Sequence, residues 1–238
     1  MALLDEPFYP VGPTTGSYVY MSGKPPGVAQ NDFKNGLARM GGFWHRPNYF
    51  ESYLLAASLL VTQGEQREDY DDIGLPAFYL QRHATELLLK NLLHWCVDII
   101  ELLAELYPSA GHQVSSRCCY VLKKSHDLRA LLKALKKAAK RAGEPLPPED
   151  LTKLVEALTQ VEKSDHWSRY SHGYHESGKD FHHKTETTIP IVYLQRLLEK
   201  TANSVLVRSM GDETYESELH STWVALNRAL ADRLESKK

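Results

Sequence analysis

The chain has 238 residues, of which 42% are hydrophobic and 24% are charged, and its formal net charge is −2. This composition is typical of globular proteins with a real core. A net charge so close to zero excludes attraction of nucleic acid or anionic membrane by the whole molecule, so any such binding needs a local patch. The three cysteines, two of them adjacent, favour reduced thiols over a disulfide framework or a zinc site. Because the N-terminus also lacks the features of a signal peptide, we expect a cytoplasmic protein.

The first 47 residues differ in composition from the rest of the chain. They contain six of the twelve prolines and seven of the fourteen glycines. Residues of these two types interrupt regular secondary structure. We therefore predict an irregular Gly/Pro-rich arm over residues 1–47 and a helical domain over residues 48–238.

Helical periodicity dominates the sequence after the arm, because apolar side chains recur at the 3.6-residue spacing of a helix face. The predicted helices cover residues 48–62, 76–107, 126–141, 151–161, 190–208 and 213–234. Charged side chains recur every three or four residues through the second of them, which indicates an amphipathic helix in water and not a membrane span. Ser125 is the expected cap of the third helix, and residues 65–72 and 109–117 are expected to be loops. The sequence predicts an all-α bundle of five or six helices.

A polar segment near position 170 is rich in side chains that perform chemistry. Five of the eleven histidines lie between positions 166 and 183. The simplest interpretation is a solvated loop. A second is a site for a divalent metal, since imidazole and carboxylate ligands suit zinc, iron or nickel. The histidines available to such a site are His172, His175, His182 and His183.

A third interpretation of the same segment is metal-independent phosphoryl chemistry by Arg169 and His175. Histidine titrates near neutral pH and can therefore move protons in the cell. An arginine beside it can bind a phosphate and offset the negative charge that develops in the transition state. Those two residue types suffice to cleave RNA with its own 2′-hydroxyl as the nucleophile.

Three segments in a fixed order resemble the HEPN superfamily, a group of helical bundles that includes many RNases of toxin–antitoxin and antiviral systems. Tyr79 to Leu93 looks like the family's helix with a Glu-Leu-x-x-Lys core, which here would contain Glu86. Ser125 to Leu132 is similar to the family's His-Asp-Leu helix start. Arg169 to His175 fits the family's motif of arginine, four to six residues, then histidine. The resemblance covers residues 75–198.

The resemblance implies a HEPN-like bundle and a metal-independent endoribonuclease that needs no cofactor. Arg169 and His175 would form the catalytic pair, completed when two subunits of a homodimer face each other, and Glu86 would support the site. The other polar residues expected there are Asp165, Tyr170 and His172. An antitoxin or other regulatory protein would be a typical partner. The alternative is a catalytically inactive HEPN-like module that binds RNA or a protein, because Tyr170 follows the arginine where active members usually have Asn, Asp or His.

A cluster of basic residues provides a candidate RNA-binding surface. The helix predicted after Ser125 places its cations opposite a stripe of leucines, where they could contact successive phosphates. The alternative is a solvated face that only keeps the protein soluble. The cations on this side of the helix are Arg129, Lys133, Lys136, Lys137 and Lys140.

Overall fold

A computed structural model describes residues 26–37, 49–162, 172–175, 178–181, 187–206 and 213–236, with the two four-residue segments described as backbone. The chain divides into two compact units, Met1–Asn48 and Tyr49–Lys238.

In the first unit the described residues include one α-helix, α1, over Pro26–Lys34. Pro26 occupies the first helical position, where the missing N–H of proline costs nothing. Gly36 follows the helix with a φ of 64°, a conformation that favours glycine. The prediction of an irregular arm over residues 1–47 is therefore wrong for this segment, because Pro26 and Gly27 occupy the first turn of a helix instead of interrupting it.

The second unit is predominantly helical, which confirms the predicted class of fold. Its described residues form seven α-helices, one or two more than predicted for the bundle. They are α2 Phe50–Arg67, α3 Asp71–Leu106, α4 Ser116–Lys124, α5 Leu128–Ala142, α6 Glu149–Val161, α7 Ile191–Val205 and α8 Tyr215–Glu235.

Helix α3 is the centre of this unit. It has 36 residues, so it is about 54 Å long at a rise of 1.5 Å per residue. It packs against α2, α4, α5, α7 and α8. The α3 side chains that are almost completely buried among them include Leu88, Leu89, Leu92, Leu93, Ile99 and Ile100. No helix in the part of the chain that the structure describes is long and apolar enough to cross a membrane.

The predicted loop over residues 65–72 is shorter in the structure, because α2 continues to Arg67 and α3 begins at Asp71. The turn between them is possible because Gly64 has no side chain. A Cβ at that position would lie 2.4 Å from Cδ1 of Tyr70, so only glycine allows the tyrosine ring to pack there. The short connection places α2 directly beside α3.

Helix α4 was not predicted, although its sequence contains the signal. The Ser115 side chain accepts a hydrogen bond from the backbone N–H of Cys118 and caps the helix, while Cys118, Val121 and Leu122 form its buried side.

The N-terminal cap of α5 is Asp127, whereas the prediction was Ser125. The Asp127 carboxylate accepts hydrogen bonds from the backbone N–H groups of Arg129 and Ala130.

The polar segment after α6 contains a short antiparallel hairpin, formed by β1 at His172–His175 and β2 at Gly178–Phe181. Its register pairs His172 with Phe181 and His175 with Gly178. The sequence analysis did not predict strands here. The physical reason is that polar residues dominate both strands, so they lack the apolar alternation by which a strand is recognised.

Candidate functional site

The most unusual side chain of the bundle is Arg82 in α3, which is charged and yet only 1% exposed. Its Nε donates to both carboxylate oxygens of Glu162 at 3.2 Å. One terminal nitrogen, Nη1, donates to Oε2 of Glu86 at 3.1 Å, and Nη2 donates to the backbone carbonyl of His126 and to Glu162. A buried arginine needs such partners, because an unpaired charge in the interior costs several kcal/mol, roughly 3–5.

Glu86, one turn further along α3, is 2% exposed and connects the arginine to two more groups. Its Oε1 accepts a hydrogen bond from Nζ of Lys90 at 2.9 Å and lies 2.9 Å from Nδ1 of His126. Burial acts to raise the pKa of the Glu86 carboxyl, but the hydrogen bonds and charges of Lys90 and His126 outweigh burial and lower that pKa. The carboxylate is therefore held ionised inside the protein.

These five residues form one connected group, which we call the ion-pair cluster: Arg82, Glu86, Lys90, His126 and Glu162. Three separate elements contribute to it, namely α3, the residue before the cap of α5, and the C-terminal cap of α6. The cluster is closed toward the core and open on one side, where the side chains of Lys90 and His126 are 20% and 39% exposed. An imidazole that a buried carboxylate orients in this way can receive or deliver a proton at a fixed position.

The cluster unites residues from two of the three motif segments named in the sequence analysis. Glu86 and Lys90 come from the Glu-Leu-x-x-Lys core, and His126 comes from the His-Asp-Leu helix start. Glu86 and Lys90 pair in the order and at the four-residue spacing that favour an ion pair within a helix. The meeting of Glu86 and His126, which are 40 residues apart, was not expected from the sequence.

The third segment is described only in part. His172 and His175 lie on strand β1, of which the structure describes the backbone. Arg169, Tyr170 and Asp165 lie outside the described residues, as do His182 and His183. Glu162 is the last described residue before this segment.

Sequence reasoning overlooked Arg82, His126 and Glu162 as members of a polar site. Arg82 and Glu86 had been assigned to a stripe of charges in contact with water, and this assignment is wrong because both are buried. The available signal was the position of Arg82 inside a strongly apolar helix, four residues before a glutamate. A charge in such a place requires a buried partner, but the partner Glu162 is 80 residues away.

The five cations singled out on α5 lie on its solvent side, and we call them the basic face: Arg129, Lys133, Lys136, Lys137 and Lys140. All are exposed except Lys136, which is half-buried. Leu131 and Leu135, on the opposite side of the helix, are fully buried against the core. Within the described residues no member of the basic face forms an ion pair with a carboxylate, whereas Arg129 donates to the hydroxyl of Thr159 at 3.0 Å.

The basic face borders two grooves. The α4–α5 groove has a volume of about 710 Å³ and the α5–α6 groove about 350 Å³. Arg129, Lys133, Lys137 and Lys140 line both grooves, whereas Lys136 lines only the second. In the part of the chain that the structure describes, each groove contains one carboxylate, which is Asp127 in the first and Glu156 in the second. The cations thus form a concave surface that suits an anionic ligand.

Among the side chains that the structure describes, no three His, Cys, Asp or Glu residues are placed to hold a metal ion. The histidines of the metal hypothesis are not among these side chains.

Comparison of the chain with models of known protein families, with curated proteins and with solved structures gave no match in any of the three.

Proposed function

We propose that this protein is a metal-independent endoribonuclease of the HEPN type, with Arg169 and His175 as its catalytic pair. The observation that supports the proposal most is the 2.9 Å contact between Glu86 and His126. It joins the two motif segments of the resemblance that are described in full. It also belongs to the same cluster as Glu162, which caps the C-terminus of α6.

The proposed reaction uses only groups of the protein and of the RNA. His175 removes the proton from a 2′-hydroxyl, whose oxygen then attacks the adjacent phosphorus. The bond from phosphorus to the 5′-oxygen of the next nucleotide breaks, and that oxygen takes up a proton. The products are a 2′,3′-cyclic phosphate and a free 5′-hydroxyl. Arg169 binds the phosphate and offsets the charge that grows on its oxygens.

The remaining residues have supporting roles in this proposal. Tyr170, His172 and Asp165 would position the catalytic pair, and the negatively charged Glu86 would fix the orientation of His126 beside it. The basic face would hold the RNA through its phosphates. A homodimer would bring two copies of the Arg169–His175 segment together, and an antitoxin or other regulatory protein would restrain the activity in toxin–antitoxin or antiviral defence.

The direct test is incubation of the purified protein with total RNA and with tRNA in excess EDTA. We expect the wild type to cleave and to leave cyclic-phosphate ends, and we expect Arg169→Ala and His175→Ala to lose about 10²–10⁴-fold in rate. His220→Ala, which removes an exposed histidine of α8, is the matched control and should cleave like the wild type. Undiminished cleavage by His175→Ala would exclude this catalytic pair. Cleavage that EDTA abolishes would favour the metal hypothesis.

A catalytically inactive RNA-binding module is the second candidate. The exposed cations of the basic face favour it, because they suit phosphate binding without any chemistry. Tyr170 after Arg169 favours it as well. Intact RNA in every lane, together with salt-dependent RNA binding that Lys133→Ala and Lys137→Ala weaken, would establish this function in place of the first.

A further inference from the structure

The α4–α5 groove differs from a surface that only binds phosphates, because its base is apolar. Ile100 of α3 and Val121 of α4 lie in it, together with small residues of α5 at four-residue intervals. These small residues are Ala130, Ala134 and Ala138. Side chains of this size leave room for the backbone of another helix to approach closely. A sugar–phosphate backbone has no apolar surface with which to cover such a base.

Charges of one sign surround the apolar base. Among the described residues, six cations line the groove, against the single carboxylate of Asp127. That carboxylate is already occupied, because it accepts hydrogen bonds from two backbone N–H groups at the start of α5. The six are Arg117, Arg129, Lys133, Lys137, Lys140 and Arg141. A ligand that fills the groove must therefore be apolar on one side and negatively charged along both edges.

The length of the groove matches that of a short α-helix. From Arg129 to Arg141 the groove follows twelve intervals of α5, or about 18 Å at 1.5 Å per residue. A second cavity of about 640 Å³, which shares Ile100, Val114 and Arg141, extends it past the start of α4. Among the described residues no Phe, Tyr, Trp or His lines the α4–α5 groove, so the groove offers no ring on which an RNA base could stack.

We propose that the α4–α5 groove binds an acidic amphipathic helix of a partner protein. The apolar residues of that helix, spaced at i, i+3, i+4 and i+7, would lie on the alanines of α5, and its glutamates or aspartates would pair with the cations on both sides. Four of these cations also line the α5–α6 groove. A bound partner helix therefore competes with any polyanion held on the basic face.

The competition with RNA depends on the function proposed above, whereas the binding of the helix does not. Because the two grooves differ in some of their residues, binding of the helix can be tested separately from binding of RNA. Arg117 and Arg141 line the α4–α5 groove but not the α5–α6 groove, and Lys136 does the opposite. Substitution of the first two therefore tests the helix site, and substitution of Lys136 tests the flank that only a polyanion uses.

The probe is a fluorescein-labelled synthetic peptide of about 14 residues, with leucines on one helical side and glutamates on the others. Its control is a peptide of the same composition in scrambled order, which has the same charge but no apolar side. We expect the full-length protein to bind the first peptide at least tenfold more tightly by fluorescence anisotropy. The double variant Arg117→Gln/Arg141→Gln and the variant Ala134→Trp should each lose that preference, while Lys136→Gln should keep it.

Equal binding of the two peptides would overturn the proposal, since only charge would then be recognised. Binding of dodecyl phosphate to the groove without binding of the peptide would overturn it as well, and would identify a site for a lipid-like anion. Circular dichroism of each variant separates loss of the groove from loss of the fold. Because the assay contains no RNA and measures no cleavage, it can fail while the ribonuclease proposal holds, and it can succeed while that proposal fails.

Discussion

The ion-pair cluster and the basic face use the same residue types in opposite ways. In the cluster Arg82 is 1% exposed and contacts two carboxylates. On the basic face, Lys133 and Lys137 are exposed, and neither pairs with a carboxylate in the described part of the chain. Buried charges affect folding strongly when a partner is lost, whereas exposed charges affect it little but act on ligands at a distance. The contrast suggests that the cluster maintains the structure and the basic face recognises a partner.

The largest effect on stability is expected from Arg82→Ala. The substitution leaves Glu86 and Glu162 close together without their shared cation, and it removes the bond to the His126 carbonyl. We expect a loss of about 3–5 kcal/mol in the free energy of unfolding. Urea denaturation measures it. The control is Arg67→Ala, which breaks the exposed pair of Arg67 with Asp72 and should cost less than about 1 kcal/mol. Similar losses for the two variants would contradict the distinction between buried and exposed pairs.

A smaller effect, with a defined dependence on pH, is expected from Glu86→Gln. At neutral pH the variant should lose about 2 kcal/mol, since it replaces hydrogen bonds to a charged group by weaker ones. The folded state lowers the pKa of Glu86 from its ordinary value of 4.5, so this stabilisation is present above pH 4.5 and is lost as the pH falls through the lowered pKa. Unfolding curves of the wild type and the variant should therefore converge in acid. A difference that stays constant down to pH 2 would show that the carboxylate charge is not its source.

The smallest effect on stability is expected from Lys133→Ala and Lys137→Ala, because exposed side chains far from special features change stability by less than about 0.5 kcal/mol. Their effect should appear in RNA binding. Each lost phosphate contact should lower the slope of log affinity against log salt by about 0.7–0.9. Fluorescence anisotropy at several salt concentrations measures this slope. Lys153→Ala removes an exposed lysine of α6 that pairs with Glu149, and an equal change in that variant would remove the special role of the basic face.

Local features of the fold were predictable because they depend on neighbouring residues. The leucine stripe of α5 placed the basic face on the solvent side, and the structure agrees. Errors occurred where two local signals competed, as at Ser125 and Asp127, either of which can cap a helix. The Ser125 hydroxyl instead accepts a hydrogen bond from the backbone N–H of Asp127. Helix α4 was missed because its nine residues give little more than two turns of periodicity.

The ion-pair cluster was beyond local reasoning. Periodicity indicates which residues share one side of a helix, but it does not indicate which distant segment will cover that side. Arg82 and Glu86 therefore looked like surface charges until Glu162 and His126 were found opposite them. The hairpin was missed for a different reason, since its polar strands pair through backbone hydrogen bonds that leave no mark on the pattern of side chains.

Arg82 has a further consequence for the motions of the bundle. Arg82 donates hydrogen bonds to His126 and to Glu162, which lie 44 and 80 residues after it in the chain. It therefore acts as a reversible crosslink between the start of α5 and the end of α6. If either end opens alone, the buried guanidinium group loses hydrogen bonds and keeps only Glu86 and the partner at the other end. We therefore expect the two ends to behave as one cooperative unit in hydrogen exchange, although they lie on different helices. The end of α6 should then share the stability of the core.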